Sequence, residues 1–193
     1  SLWDFARDKM LSRHGRRLRS IDVHDIVCKI GEVVVAGGVR RSALISLSDL
    51  DDDEMRDAKQ GQFYMSHPQR AMANNSAVYN EKPTTKEFLD EWLALAKSGT
   101  GERGIFNRAG LKTQLPKRRW DAFGEYFETS GTNPCGEIIL RSKQFCNLTE
   151  VIARAEDTSK TLLKKMRLAT ILGTYQASLT HFPYLSSCNA ALI

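Results

Sequence analysis

The most constraining feature of the chain is a helix-period apolar series that ends on two glycines and leads at once into a short apolar run. Val23, Ile26, Val27, Ile30 and Val34 recur at helical spacing behind Asp22, a residue able to cap a helix start. Gly37-Gly38 suit a helix stop, since glycine accepts the left-handed conformation there. Ala43 to Leu47 then reads as a buried strand. The same alternation continues down the chain. Acidic Asp49 to Glu54 suit the positive N-terminal turn of a helix. Asn75 to Tyr79 read as a strand, and Thr84 and Glu87 have capping-box spacing before a helix expected to bury Phe88, Trp92, Leu93 and Leu95. Leu2 to Leu11 read as a mildly amphipathic helix. Gly99 to Trp120, rich in glycine and basic residues, read mostly as loop. Strands or extended chain are expected at Ile138 to Leu140 and Leu148 to Ile152. A last helix is expected from about Leu162 to Leu179, with Leu163, Met166, Leu168, Ile171 and Leu172 on its buried side. Helices alternating with strands imply an α/β fold.

Composition narrows the function classes. With 193 residues, 41% hydrophobic and 26% charged, the chain is an ordinary globular one and not a disordered one. No apolar run approaches the ~20 residues that span a bilayer. Four cysteines are too few for a disulfide scaffold at this length. No basic-then-apolar leader is visible, so a cytoplasmic location is expected and the sequons at Asn74 and Asn147 are read as accidental. The chain starts at Ser1 and stops at Ile193 without an obvious end signal, and is expected to be a piece of something larger.

The segment that carries chemistry is Thr132-Asn133-Pro134-Cys135-Gly136-Glu137-Ile138. Were it extended, Asn133, Cys135 and Glu137 would share one face and offer an amide, a thiol and a carboxylate to one small object. An amide can fix hydroxyl groups, a carboxylate can accept a hydroxyl proton, and a thiol can serve as nucleophile, redox donor or hydrogen-atom donor. Cys146 follows eleven residues after Cys135, a spacing unlike zinc-ligand pairs, and His14, His24, His67 and His181 are scattered. No metal site is expected. Spacing alone leaves Cys28 and Cys188 as small buried hydrophobes.

The run NPCGEIILRSKQFCNLTEVI, from Asn133 onward, resembles the catalytic finger loop of ribonucleotide reductases. It is most similar to the monomeric, adenosylcobalamin-dependent type that reduces ribonucleoside triphosphates. Ile21 to Leu47, Ala73 to Tyr79, Gly101 to Asn107 and Arg167 to Leu179 also resemble that family, whereas Ser186 to Ile193 do not. The resemblance implies a ten-stranded α/β barrel with the finger loop threading its centre. Residues 1–193 would form part of it: the end of the first half-barrel, the finger at about 131–147 and the start of the second half. It further implies that Cys135 becomes a thiyl radical, Glu137 is the general base, Asn133 holds the ribose hydroxyls and Cys146 is half of a redox-active dithiol. The other half would lie upstream of the chain, since Cys28 does not match it, and Cys188 does not match a shuttle cysteine. Gly37, Gly38, Val39, Arg40, Arg41 and Ser42 would link a deoxynucleotide effector site to the substrate base. Adenosylcobalamin is the implied cofactor, with most of its contacts outside the segment. A ribonucleoside triphosphate substrate, a thioredoxin-like dithiol reductant and a monomeric full-length enzyme are implied too, with no membrane and no nucleic-acid partner. The segment alone is expected to be inactive.

Other signals are weaker. Gly99 to Gly104 spell GxGxxG, but a helix precedes the motif where a dinucleotide fingerprint needs a strand. The clusters Arg13 to Arg19 and Lys117 to Arg119 read as solvated faces, the alternative being a basic nucleic-acid-binding module. Two further alternatives are a reductase class using a separate metal subunit and another thiol enzyme with Cys135 as an ionised nucleophile. His24 and His67 read as structural or surface residues.

Overall fold

The computed structural model describes residues 1–34 and 42–183. Gly37, Gly38, Val39, Arg40, Arg41 and Cys188, and with them most of the expected effector loop, lie outside the described residues. Helices α1 (Leu2–Ser12) and α2 (Ser20–Val33) pack on each other ahead of β1 (Leu44–Ser48). Two single-turn helices, α3 (Asp53–Arg56) and α4 (Phe63–Ser66), and a 3-10 turn (Pro68–Met72) lead to β2 (Ala73–Val78). Then come α5 (Thr85–Ser98), β3 (Gly104–Phe106), α6 (Leu111–Gln114) and α7 (Lys117–Phe127). A short hairpin, β4 (Gly131–Thr132) and β5 (Ile139–Leu140), precedes the long helix α8 (Ser159–Ala177).

The first three strands form a parallel sheet in the order β1-β2-β3. Leu44 lies opposite Ala73 and Ser48 opposite Ala77, while Ser76 lies opposite Gly104 and Val78 opposite Phe106. Helical segments make both crossovers, as parallel pairing requires. The chain is therefore mixed α/β with a parallel sheet. Since successive side chains alternate across a strand, Asn75 and Ala77 face the side of α2 and α5, and Asn74, Ser76 and Val78 face the other. Charged groups staple the α5 side. Buried Arg103 donates to Glu91 at 2.9 Å, to Ser48 Oγ at 2.8 Å and to the carbonyl of Asp49 at 3.0 Å, joining α5 to the end of β1. The Glu102 carboxylate accepts the backbone N–H of Asn75 at 2.6 Å and the Lys59 ammonium at 2.9 Å.

Locally coded features are found where the sequence puts them. The Thr84–Glu87 capping box opens α5, and Asp52 caps α3 by accepting the Met55 N–H at 3.0 Å. Other expectations are corrected. Asp22 is not the cap of α2 but sits one turn inside it, where its carboxylate accepts the Arg19 N–H at 3.1 Å. The buried side of α2 is Ile21, Asp22, His24, Asp25 and Cys28, while Val23 is 47% exposed and Val27, Ile30 and Val34 are exposed with it. The polar side wins because α1 and the 3-10 turn bring donors to Asp25 and β2 brings the Asn75 oxygen to His24. On α5, Phe88, Trp92 and Leu93 are exposed and Leu95 half-buried. On α8, Leu163, Met166, Leu168, Ile171 and Leu172 are all exposed. Gly99 to Trp120 hold β3, α6 and the start of α7, not mostly loop, because Gly104 to Phe106 complete the parallel edge. Of the strand or extended chain expected at Leu148 to Ile152, no strand forms, and the Ile152 carbonyl accepts from Lys165 of α8 at 3.2 Å. The accessible surface is 13784 Å². A compact monomer of this mass would expose about 9,200 Å². The apolar faces of α2, α5 and α8 thus lack cover from the rest of the described chain.

Candidate active site

The hairpin β4–β5 carries the motif, and its connection is a turn rather than an extended segment. Asn133, Pro134, Cys135 and Gly136 close it, with the Gly136 N–H donating to the Asn133 carbonyl at 3.0 Å. These are the residue types a type I turn favours: asparagine first, proline second, glycine fourth. Gly136 has φ of 88°, a left-handed value that a side chain would strain. The Asn133 side chain, 4% exposed, folds inward, and its Oδ1 accepts the Ile138 N–H at 2.9 Å. Thr132 Oγ1 donates to the Ile138 carbonyl at 3.0 Å. So Asn133, Cys135 and Glu137 do not alternate along one face of a strand. They share one six-residue turn, in which Asn133 shapes the loop while the Cys135 thiol and Glu137 carboxylate are exposed.

Three residues that the sequence reading missed hold this hairpin on the sheet. Leu47 of β1 backs against Gly131, where a Cβ would lie 3.2 Å from Leu47 Cδ1. Asn74 of β2 donates its Nδ2 to the Pro134 carbonyl at 3.0 Å. Arg108, just after β3, donates from Nε to the Ser130 carbonyl at 2.8 Å and from Nη1 to Asn80 Oδ1 at 2.8 Å. Burial pushes the Arg108 pKa down, against a weak opposing pull from Asp49. A sequence signal existed: Asn74-Asn75-Ser76 are poor strand formers in the middle strand of a parallel sheet, so side-chain partners had to justify them.

Cys146 follows the hairpin, half-buried and a free thiol like Cys135. Its neighbour Phe145 packs edge-on against Phe182, with ring centroids 4.8 Å apart. Ser42, the described end of the expected effector loop, donates to the Gly31 carbonyl at 3.3 Å. An open cleft of about 540 Å³ lies between α2 and β1, with Val23, Val27, Leu44 and Arg108 among its walls.

Behind the sheet lies a second cluster. Asp25 is 0% exposed and accepts from Lys9 at 2.7 Å, Gln69 at 3.1 Å and Arg70 at 2.6 Å. Burial alone would raise the Asp25 pKa, but the His24 ring 3.9 Å away and the hydrogen bonds from Arg70 and Lys9 outweigh it and hold the carboxyl far below its ordinary range. His24 Nε2 lies 3.0 Å from Asn75 Oδ1 and 3.6 Å from the Cys28 sulfur. Burial, then the charge of Asp25, pushes the Cys28 thiol up to about 11. Cys28 is thus an inert, buried thiol, as spacing implied, and His24 is a core residue.

The GxGxxG stretch follows α5 and leads into β3, with Gly99 ending the helix at φ of 67°. That is the reverse of the strand-then-helix context a dinucleotide fingerprint needs. Of the basic cluster near α7, Lys117 pairs with Asp121 at 2.6 Å and Arg119 lies over the Phe123 ring. Among the described residues no three His, Cys, Asp or Glu converge as a metal site would need, and no helix is long and apolar enough to cross a membrane.

Comparison with known proteins gives a consistent set of relatives. The chain is 39% identical over 150 residues to an adenosylcobalamin-dependent ribonucleoside-triphosphate reductase of Lacticaseibacillus paracasei, matching 75% of this chain and 19% of that protein. It is 35% identical over 176 residues to the protein of the same name from Lactobacillus leichmannii, 90% of this chain and 22% of that one. It is 31% identical over 177 residues to that of Lactobacillus helveticus, 92% of this chain and 23% of the relative. The chain therefore spans about a fifth of the length of the curated relatives it matches. No family model matches, and no solved structure matches.

Proposed function

From the premise that this chain belongs to the adenosylcobalamin-dependent ribonucleoside-triphosphate reductases, we propose that it is the central catalytic segment of such an enzyme. The whole enzyme would reduce ribonucleoside triphosphates to 2′-deoxyribonucleoside triphosphates. The observation that carries this reading is the turn at 133–138, which presents the Cys135 thiol and the Glu137 carboxylate together on a braced hairpin.

Adenosylcobalamin, when bound, supplies the carbon radical that removes the hydrogen atom of a thiol. The residues present fit that group at its reactive end, where the exposed Cys135 thiol stands. Its remaining contacts would come from parts of the enzyme beyond this segment. As a thiyl radical, Cys135 takes hydrogen from the ribose 3′ carbon. Glu137 accepts the 3′-hydroxyl proton, and the 2′-hydroxyl leaves as water. Asn133 has committed its Oδ1 to the Ile138 N–H, so its Nδ2 donors are the part able to hold a ribose hydroxyl. Cys146 and a partner thiol outside the segment give up two electrons and two protons and become a disulfide. A thioredoxin-like dithiol would restore them. The cysteine then regains its hydrogen, so the radical is not consumed.

The uncovered apolar faces of α2, α5 and α8 fit a piece cut from a larger barrel, whose other strands and helices would pack there. The ten-stranded barrel, the split into half-barrels around the hairpin, a monomeric state, a cytoplasmic location and an effector role for residues 37–42 belong to the same reading. So does inactivity of the isolated segment. The test is the full-length enzyme supplied with ribonucleoside triphosphates, a dithiol and adenosylcobalamin, and no metal subunit. Cobalamin-dependent deoxynucleotide formation is expected. Product only with a separate metal subunit would overturn the subclass, and no product under either condition would overturn the reductase reading.

A further inference from the structure

Two neighbouring asparagines on the middle strand serve opposite faces of the sheet. Asn75 turns toward α2, where its Oδ1 meets buried His24 at 3.0 Å. Asn74 turns to the hairpin, where its Nδ2 meets the Pro134 carbonyl at 3.0 Å. We infer that Asn74 is the positioning residue for Cys135.

The geometry is specific to that thiol. The Pro134 carbonyl belongs to the peptide unit joining Pro134 to Cys135. Such a unit is planar, so the carbonyl oxygen and the Cys135 Cα lie in one rigid plane. Holding the oxygen restrains that plane and hence the direction in which the Cys135 side chain departs. Asn74 is well suited to hold it: its backbone is paired in a parallel ladder opposite Ile45, and the next strand joins two residues further on. Groups on strands hold a site more closely than groups on loops. The hydrogen bonds within the turn, from Gly136 to Asn133 and from Ile138 to Asn133, shape the loop but do not tie its tip to the sheet. The hairpin base is tied separately, by Arg108 at Ser130. Asn74 therefore controls the last degree of freedom, the swing of the tip about its base. An exposed asparagine on a central strand contributes little else, since it buries no apolar surface.

The inference rests on the reductase reading for its effect on turnover, but not for its effect on the thiol. The experiment uses the full-length enzyme with Asn74→Asp, which keeps the shape and removes the N–H donor, and with Asn74→Ala. Two quantities are read: steady-state kcat and KM, and the rate at which iodoacetamide alkylates Cys135 and Cys146, followed by peptide mass spectrometry without cofactor or substrate. Both variants are expected to alkylate Cys135 at least ~3-fold faster, with Cys146 unchanged, because the full-length barrel would enclose the finger and a loosened tip would open to reagent more often. Turnover is expected to fall ~10- to 100-fold in kcat with KM within ~2-fold, the pattern of a misplaced reacting group rather than a lost binding contact. Unchanged alkylation of Cys135 in Asn74→Asp, or equal acceleration at both cysteines, would overturn the inference. Wild-type enzyme that makes no deoxynucleotide, with Cys135 alkylation still accelerated in the variants, would overturn the reductase reading and leave the positioning role supported.

Discussion

The two faces of the sheet solve opposite problems. Behind it, Asp25 is buried with three side chains donating to it, and Cys28 sits beside it at 0% exposure. In front of it, the Cys135 turn is exposed and braced by single contacts from each strand region: Leu47, Asn74 and Arg108. The rear cluster is over-determined, so one charge cannot be removed without stranding others. The front turn is held by few contacts and leaves its thiol open. One chain thus carries one sealed and one exposed cysteine, and environment rather than sequence spacing separates them.

The largest effect that would break this contrast is on turnover. Replacing Cys135 by Ser in the full-length enzyme should cost at least ~10⁴-fold in kcat, about 5.5 kcal/mol of barrier, with no change in thermal stability. Next comes the rear cluster. Asp25→Ala should destabilise by about 3–5 kcal/mol in denaturant unfolding, because Arg70 is left without its buried counter-charge and Lys9 loses the nearer of its two. Gly136→Ala should cost about 1 kcal/mol, from backbone strain alone: φ is 88° and a Cβ there meets nothing within 4 Å. The smallest is Gly173→Ala in α8, where a gain of about 1 kcal/mol in helix propensity is offset by a Cβ 3.2 Å from Thr149 Oγ1. Its net effect on the unfolding midpoint should be close to zero.

Acid sharpens the same contrast. The Asp25 pKa is depressed on folding from an ordinary 3.8. A depressed carboxyl stabilises the fold above its unfolded value, and that contribution is lost as pH falls toward the folded one. Stability should therefore drop below pH 3.8. Asp25→Asn should flatten that drop; an unchanged acid limb would show that other carboxylates set it.

What could be read from the sequence was local. The Thr84–Glu87 box and the acidic first turn of α3 depend on neighbours a few residues away, and both were legible. The site motif offered an amide, a thiol and a carboxylate, but its shape was not legible. Asn133-Pro134-Cys135-Gly136 also spells a turn, and the turn signal outranked alternation once Asn133 closed back on Ile138. The buried faces of α2, α5 and α8 were not legible, because apolar periodicity marks a face that wants cover, not one that this chain covers itself. On α2 the buried side is instead the one whose Asp22, His24 and Asp25 meet partners up to 51 residues away. Nothing local to α2 encodes Arg70, Gln69 or Asn75. Asn74 and Arg108 escaped for the same reason, since each acts on a hairpin distant in sequence.

The most direct measurement compares the two cysteines within one enzyme. Full-length protein carrying Cys135→Ser and, separately, Cys28→Ala would be assayed for deoxynucleotide formation and for unfolding free energy. Cys135→Ser should abolish turnover and leave stability unchanged. Cys28→Ala should cost about 1 kcal/mol of stability, the price of a small buried group, and keep kcat within ~2-fold. Full turnover in Cys135→Ser, or loss of turnover in a folded Cys28→Ala enzyme, would contradict the assignment of chemistry to the front turn and structure to the rear cluster.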